Sequence, residues 1–391
     1  MTGAPGGSRW TDELLDKKRQ RGDHLADDAV EELLKRGNVQ AVNDLMQTLV
    51  SNDQPVSKDL PVEIQKYLAA TPTVLPKWAD PAKIKRGQQL FEDWGLEISV
   101  CLFCASLPSA YAAAKGVQVL FKTARLRNDA RRRVIETGQF LMNVLAVGSF
   151  EPAGKGFRTI QHIRLMHGAV RKLIEDKNAQ QPGFWDPDWG IPINQEDLAG
   201  TMLSFSYVPV EPLRRLGIRV SDEDAEAYLH LWNVIAHLLG LDDDLRVRGI
   251  DDASDLVETI RRRQFVASPE GREMTVALMA LLDKLTPGRD FDKTIPPLIR
   301  HLISDTYADM LDVPRSKYTK DLGRLTQLVN WFFVLIFGRA FWNSPRYQLV
   351  SVLARPFGRE LMQALFHYQR GGVRAAFDIP DHLASKWELS K

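Results

Sequence analysis

The sequence predicts an all-α protein, a multi-helix bundle with extra helices at its N- and C-termini. Three observations carry that expectation. Apolar residues recur at three- and four-residue spacing through most of the chain. Alternating apolar and polar runs, the mark of strands, are nearly absent. Proline and glycine gather in short clusters between the periodic segments, where they end helices. The 391 residues are 44% apolar and 26% charged, a globular balance sufficient for one large α domain or two fused ones.

The elements follow in order. Residues 1–10, with Thr2-Gly3-Ala4-Pro5-Gly6-Gly7-Ser8, have no apolar period and read as disordered. They contain no apolar export segment and no twin arginine, so a cytoplasmic location is expected. Residues 11–82 read as an N-terminal helical extension packed on the core, with amphipathic segments at 27–36 and 39–51. Pro72, Pro76 and Pro81 mark a connector within it. The core is expected over 83–375, broken at 148–157, 182–196, 209–221, 241–253 and 286–297, and followed by an arm at 376–391. The most apolar stretches are 96–121, which holds Pro108 and Lys115, and 328–342, which holds Arg339. Both are expected as buried core helices, so no transmembrane segment is expected.

Composition narrows the function. A net charge of +1 gives no global attraction to nucleic acid or to an anionic membrane. Eight histidines and two cysteines are few, so any metal or cofactor site rests on one or two histidines. Cys101 and Cys104 lie three apart in an apolar run and read as two buried thiols, with a redox pair as the alternative. No histidine follows Cys104, which excludes covalent haem attachment there.

Residues 128–176 carry the chemistry. One helix is expected from Asn128 or Asp129 to about Val147, and a second from about Phe157 to Glu175. On the first, Arg133, Glu136 and Thr137 stand at i, i+3 and i+4, which puts a guanidinium, a carboxylate and a hydroxyl on one face. Taken alone, that pattern also describes a solvated ion pair. On the second, His167 lies in an apolar stripe between Arg164 and Arg171. Two arginines one turn either side of a histidine suit an anion with two carboxylates beside a metal ligand, which is the shape of haem. Gly168 and Ala169 leave room there for a flat macrocycle. If the helices are antiparallel about the loop near Glu151 and Pro152, then Glu136 and His167 lie at one height. The helices would then have to splay to admit a macrocycle.

Other sites are weaker. His230 and His237 share a helix face but stand roughly 10 Å apart along it, too far to share one ion. No glutamate lies three residues before any histidine, so the di-iron bundle motif is absent, as is the His-Glu-x-x-His zinc motif. Asp27-Asp28-Ala29-Val30-Glu31 resembles an acidic prenyl-transfer motif. It lacks a second acidic motif and is expected as a solvated helix start.

Three segments resemble a known family. Arg133-Val-Ile-Glu-Thr-Gly-Gln-Phe, Ile163-Arg-Leu-Met-His-Gly-Ala-Val-Arg171 and Asn194-Gln-Glu-Asp-Leu-Ala-Gly-Thr201 resemble the haem oxygenase superfamily that includes the latex clearing proteins and the MpaB-type oxygenases. Weaker similarity runs through Tyr228, Trp232 and Gly240 and from Ile299-Arg300 to Asp312-Val-Pro314. The resemblance implies a globin-like all-α core holding one non-covalent b-type haem. It implies His167 as iron ligand, Arg164 and Arg171 beside it, Thr201 in a pocket segment, and Arg300 as a weaker cofactor contact. It implies Arg133, Glu136 and Thr137 on the opposite, catalytic side, with Arg133 stabilising charge that develops on dioxygen and Glu136 as base or proton donor. Latex clearing proteins carry lysine where this chain has Glu136. Their catalytic glutamate falls near Val117-Gln118, where this chain has no carboxylate. The expected activity is therefore a haem-dependent oxygenase or dioxygenase that uses O₂ on a small apolar alkene or isoprenoid-like substrate, with C=C cleavage as the reaction. The alternatives are polyisoprene cleavage and non-catalytic binding of haem or an apolar ligand. The oligomeric state, monomer or dimer, stays open.

Overall fold

A computed structural model describes residues 9–35, 60–123, 136–285 and 295–315, with two short strand segments at 369–370 and 373–374. The fold is an all-α multi-helix bundle. Its N-terminal part comprises α1 (Asp12–Arg19), α2 (His24–Lys35) and α3 (Val62–Ala70). The bundle continues with α4 (Pro81–Cys101), α5 (Leu107–Ala112), α6 (Val117–Lys122) and α7, described over 136–145. It is completed by α8 (Gly156–Gln180), α9 (Gln195–Ser206), α10 (Val210–Arg215), α11 (Asp222–Leu238), α12 (Ile250–Gln264), α13 (Pro269–Leu285), α14 (Ile295–Ile303) and α15 (Asp305–Met310). The two strand segments pair antiparallel, Gln369 with Arg374. The expected segments at 39–51, 328–342 and 376–391 lie outside the described residues, as does Arg133.

Helix α4 begins where the connector ends. Asp80 caps it by accepting from the Ala82 and Lys83 amides, and Pro81 occupies the first turn, where its missing N–H costs nothing. A π-helical turn, Leu102–Ser106, carries the chain on into α5. The combined helix, Pro81–Ala112, is long and apolar enough to cross a membrane, yet 89% of its apolar window is buried inside the bundle. Its main partner is α11, whose Tyr228, Leu231 and Trp232 are at most 1% exposed. Cys101 and Cys104 lie in this helix as free, buried thiols, and burial pushes the Cys104 thiol up to about 12.

The helical hairpin forms as its sequence requires. α7 and α8 are joined by turns in which Gly148 takes a positive φ of 79°. Asn143 donates to Thr159 Oγ1 at 3.0 Å across the two helices. That contact fixes an antiparallel register within one residue of the one expected from the loop centre. α8 runs to Gln180, five residues past the expected end. The chain breaks only where the Gln181–Gly183 turn begins.

The N-terminal helices lie against α8. Ala26, Ala29, Val30 and Leu33 of α2 bury a stripe with Ile64, Tyr67 and Leu68 of α3 and Leu165 of α8. Arg19 at the end of α1 bonds Glu196 and Asp197 of α9 and the Trp189 carbonyl. Glu196, 1% exposed, also receives Arg263 Nε of α12 at 3.0 Å. This buried carboxylate thereby joins three helices.

Candidate functional site

Helix α8 presents His167 half-buried, with Arg164 and Arg171 buried one turn to either side. The two arginines have different partners. Arg164 grips Asp23 with two bonds, Nε to Oδ2 at 2.5 Å and Nη2 to Oδ1 at 2.8 Å. Its Nη1 reaches the Leu238 carbonyl at 3.4 Å. Burial disfavours the guanidinium charge, but Asp23 outweighs burial and raises its pKa. Arg171 bonds Asp27 Oδ1 from Nε at 2.6 Å and the Ile193 carbonyl from Nη1 at 3.1 Å. Its Nη2 is buried without a hydrogen-bond partner among the described residues.

A narrow crevice opens between these elements. His167, Arg171 and Asp23 line it together with Ile193, Gln195 and Leu239. Gln195 holds two walls together: its Nε2 donates to the carbonyls of Gly22 and Gly240, and its Oε1 accepts from the Asp242 amide. Ile193 has φ +52°, a strained conformation for a β-branched residue. It is held there between the Arg171 bond to its carbonyl and Asn194, which caps α9 by accepting from the Asp197 amide.

Across the hairpin, Glu136 is exposed and Thr137 half-buried near the start of the described part of α7. The structure also brings in a histidine that the sequence reading passed over. His162 lies on α8, and its Nε2 is buried without a hydrogen-bond partner among the described residues. Burial lowers its pKa to about 4, against an opposing pull from Glu136. The charge on Glu136 therefore reaches His162. Nothing in the spacing separates His162 from an ordinary core histidine.

Several expectations change. Gly168 does not leave a slot, because the Ala26 backbone of α2 fills the space: a Cβ at Gly168 would stand 3.0 Å from Ala26 C and O. Ala169 packs against the same α2–α3 cluster. The two arginines do not frame His167 alike, since Arg164 spends its bidentate edge on Asp23. Asp27 is not a solvated helix start but the partner of Arg171. Thr201 is exposed and its hydroxyl donates to the Asp197 carbonyl of its own helix at 2.7 Å. Arg300, 4% exposed, donates to the Val313 carbonyl and to Asp305 and Asp309, and so ties α14 to α15 and the chain beyond. Neither Thr201 nor Arg300 lines the crevice.

His230 and His237 do not form a ligand pair. Trp78 of the connector meets both rings edge-on, at 5.8 and 5.7 Å. His230 Nε2 accepts from the Asp80 amide, and His237 Nδ1 pairs with Asp243. Among the described residues no group of three His, Cys, Asp or Glu side chains could hold a metal ion. The donor set at the crevice is instead one imidazole and one guanidinium whose Nη2 has no hydrogen-bond partner among the described residues. In donor chemistry that set suits a ligand with a metal at its centre and an anionic edge, as haem has, but the crevice holds only about 10 Å³ and its walls would have to part to admit a macrocycle.

Comparison with known proteins agrees with the fold. Residues 99–339 match the family model described as ER-bound oxygenase mpaB/B'/Rubber oxygenase, catalytic domain. The chain is 26% identical over 365 residues to a rubber oxygenase of Streptomyces sp. (strain K30), covering 92% of this chain and 85% of that protein. It is similar in fold to a latex clearing protein structure in the closed state, with a TM-score of 0.74 and 24% identity over 93% of this chain and 95% of that one.

Proposed function

We propose, from the premise that this chain belongs to the mpaB/rubber oxygenase catalytic-domain family, that it is a haem-dependent oxygenase acting on an apolar alkene or isoprenoid-like substrate. The observation that carries the reading is that His167 and Arg171 line one crevice, with the Arg171 Nη2 buried and without a hydrogen-bond partner among the described residues. His167 would ligate iron through a neutral imidazole, and Arg171 would hold an anionic edge of the macrocycle. When bound, haem supplies the activation of dioxygen, which no side chain here performs.

The chain's own residues would bind, orient and move protons. Glu136, exposed on α7, would take an allylic proton from a substrate or return one. Thr137, beside it, offers a hydroxyl. Arg133, outside the described residues, keeps its proposed place as the positive charge on that side. Thr201 and Arg300 carry lesser weight as cofactor contacts, because both spend their donors elsewhere in the fold.

A second reading is polyisoprene cleavage. The identity to a rubber oxygenase over most of the chain favours it. Against it stand Glu136 in place of lysine and the absence of a carboxylate at Val117 and Gln118, both at most 4% exposed on α6. The test is to supply haem-loaded protein and O₂ with a short isoprenoid alkene and, separately, with polyisoprene latex. Oxygenated cleavage products from the short alkene support the first reading, and products from latex alone support the second. No oxygen-dependent product from either overturns the enzymatic reading.

A further inference from the structure

Asp23 and Asp27 lie outside the segment matched by the family model, which begins at residue 99. Yet both reach residues that line the crevice or flank it. The geometry points to Asp27 as a positioning residue of this site, holding the Arg171 guanidinium in place beside His167.

The two acid–arginine pairs differ. Asp23 and Arg164 are both deeply buried, at 8% and 9% side-chain exposure, and Asp23 takes two bonds. That pair is an anchor. Asp27 is one-third exposed and takes one bond, from Nε, on the edge of the guanidinium that Nε shares with Nη2. The Ile193 carbonyl takes Nη1. Two of the three nitrogens are thus fixed, one by Asp27 and one by the Ile193 carbonyl of the crevice wall, and the third is buried without a hydrogen-bond partner among the described residues. A planar guanidinium held at two nitrogens cannot rotate the third away. Gly22 makes room for this arrangement: a Cβ there would stand 2.6 Å from Asp27 Oδ2 and 3.3 Å from Arg171 Nε. Asp27 also accepts from the Asp23 amide at 2.9 Å, which sets its own side chain. The N-terminal segment therefore completes a site whose other walls come from α8, Ile193 and α9.

The inference deepens the reading of the crevice as a cofactor site, and its test has a readout that does not depend on that reading. The variants are Asp27→Asn, Asp27→Glu and Gly22→Ala in the full chain. The last displaces the pair without removing either charge. Circular dichroism and thermal unfolding establish that each is folded. Carbethoxylation of His167 by diethylpyrocarbonate in the cofactor-free protein is followed by peptide mass spectrometry, and haemin uptake by absorbance titration. Asp27→Asn and Gly22→Ala are expected to speed His167 modification several-fold, because Arg171 is no longer held beside it in the crevice. They should weaken haemin binding about tenfold, the loss of one charge-assisted hydrogen bond. Asp27→Glu is expected to restore both. An unchanged His167 modification rate in folded Asp27→Asn and Gly22→Ala overturns the positioning role. If the parent chain takes up no haemin, the cofactor reading falls while the modification rates still decide the role of Asp27.

Discussion

Arg171 donates to Asp27 across 144 residues of sequence, at 2.6 Å, and so joins the catalytic-domain helix α8 to the N-terminal helix α2. With the Arg164–Asp23 pair seven residues earlier, it makes the flanks of His167 a junction between two parts of the chain.

The buried anchor predicts a large stability loss on cutting one side. Asp23→Ala leaves the Arg164 guanidinium buried and unpaired, and removing one partner of a buried pair costs about 3–5 kcal/mol. Chemical denaturation of the parent and the variant measures it. A loss below about 1 kcal/mol would mean that solvent reaches Arg164.

The close approach of α2 predicts an overpacking penalty. At Gly168, a valine gains a few tenths of a kcal/mol of helix propensity over glycine. Its methyl groups meet the Ala26 backbone, which cannot step aside as a side chain can. Overpacking at about 1–3 kcal/mol wins, so Gly168→Val lowers the denaturation midpoint.

His162 predicts a stability slope with pH. Its folded pKa, lowered by burial to about 4, lies below the value of 6.5 that an exposed histidine has. Between those values the unfolded chain binds a proton that the folded chain refuses. Stability therefore falls as pH drops from about 6.5 to about 4, and this contribution levels off below. Removing the ring in His162→Gln should flatten the slope over that window. An identical slope in the variant would assign it to other groups.

Glu136 predicts a loss of turnover without loss of cofactor. Glu136→Gln keeps size and removes the proton-transfer group, so the rate should fall by about 100-fold or more. The cofactor absorption spectrum should stay the same, because Glu136 does not line the His167 crevice. Normal oxygen consumption with substrate would remove Glu136 from the mechanism.

Much of this was legible locally. The hairpin of α7 and α8, its register and its glycine-bearing loop follow from helical period and from residues that end helices. The Asn143–Thr159 contact shows the register directly. Spacing also shows that Arg164, His167 and Arg171 share a face. It does not show what covers that face. Asp23 and Asp27 stand more than 140 residues upstream of their arginines, and no periodicity links them. A small residue such as Gly168 signals close approach without naming what approaches, and a neighbouring backbone rather than a ligand fills the space beside it. Resemblance alone points to Thr201 and Arg300; Thr201 bonds back into its own helix at Asp197, and the partners of Arg300 lie in the segment that follows its helix.

In the proposed function His167 is the one protein ligand of a haem iron. The most direct measurement is the absorption spectrum of purified parent and His167→Ala proteins after expression with haem supplied. A Soret band is expected in the parent and should be lost or shifted in His167→Ala, with both proteins folded by circular dichroism. A colourless parent protein, or an identical band in His167→Ala, would contradict it.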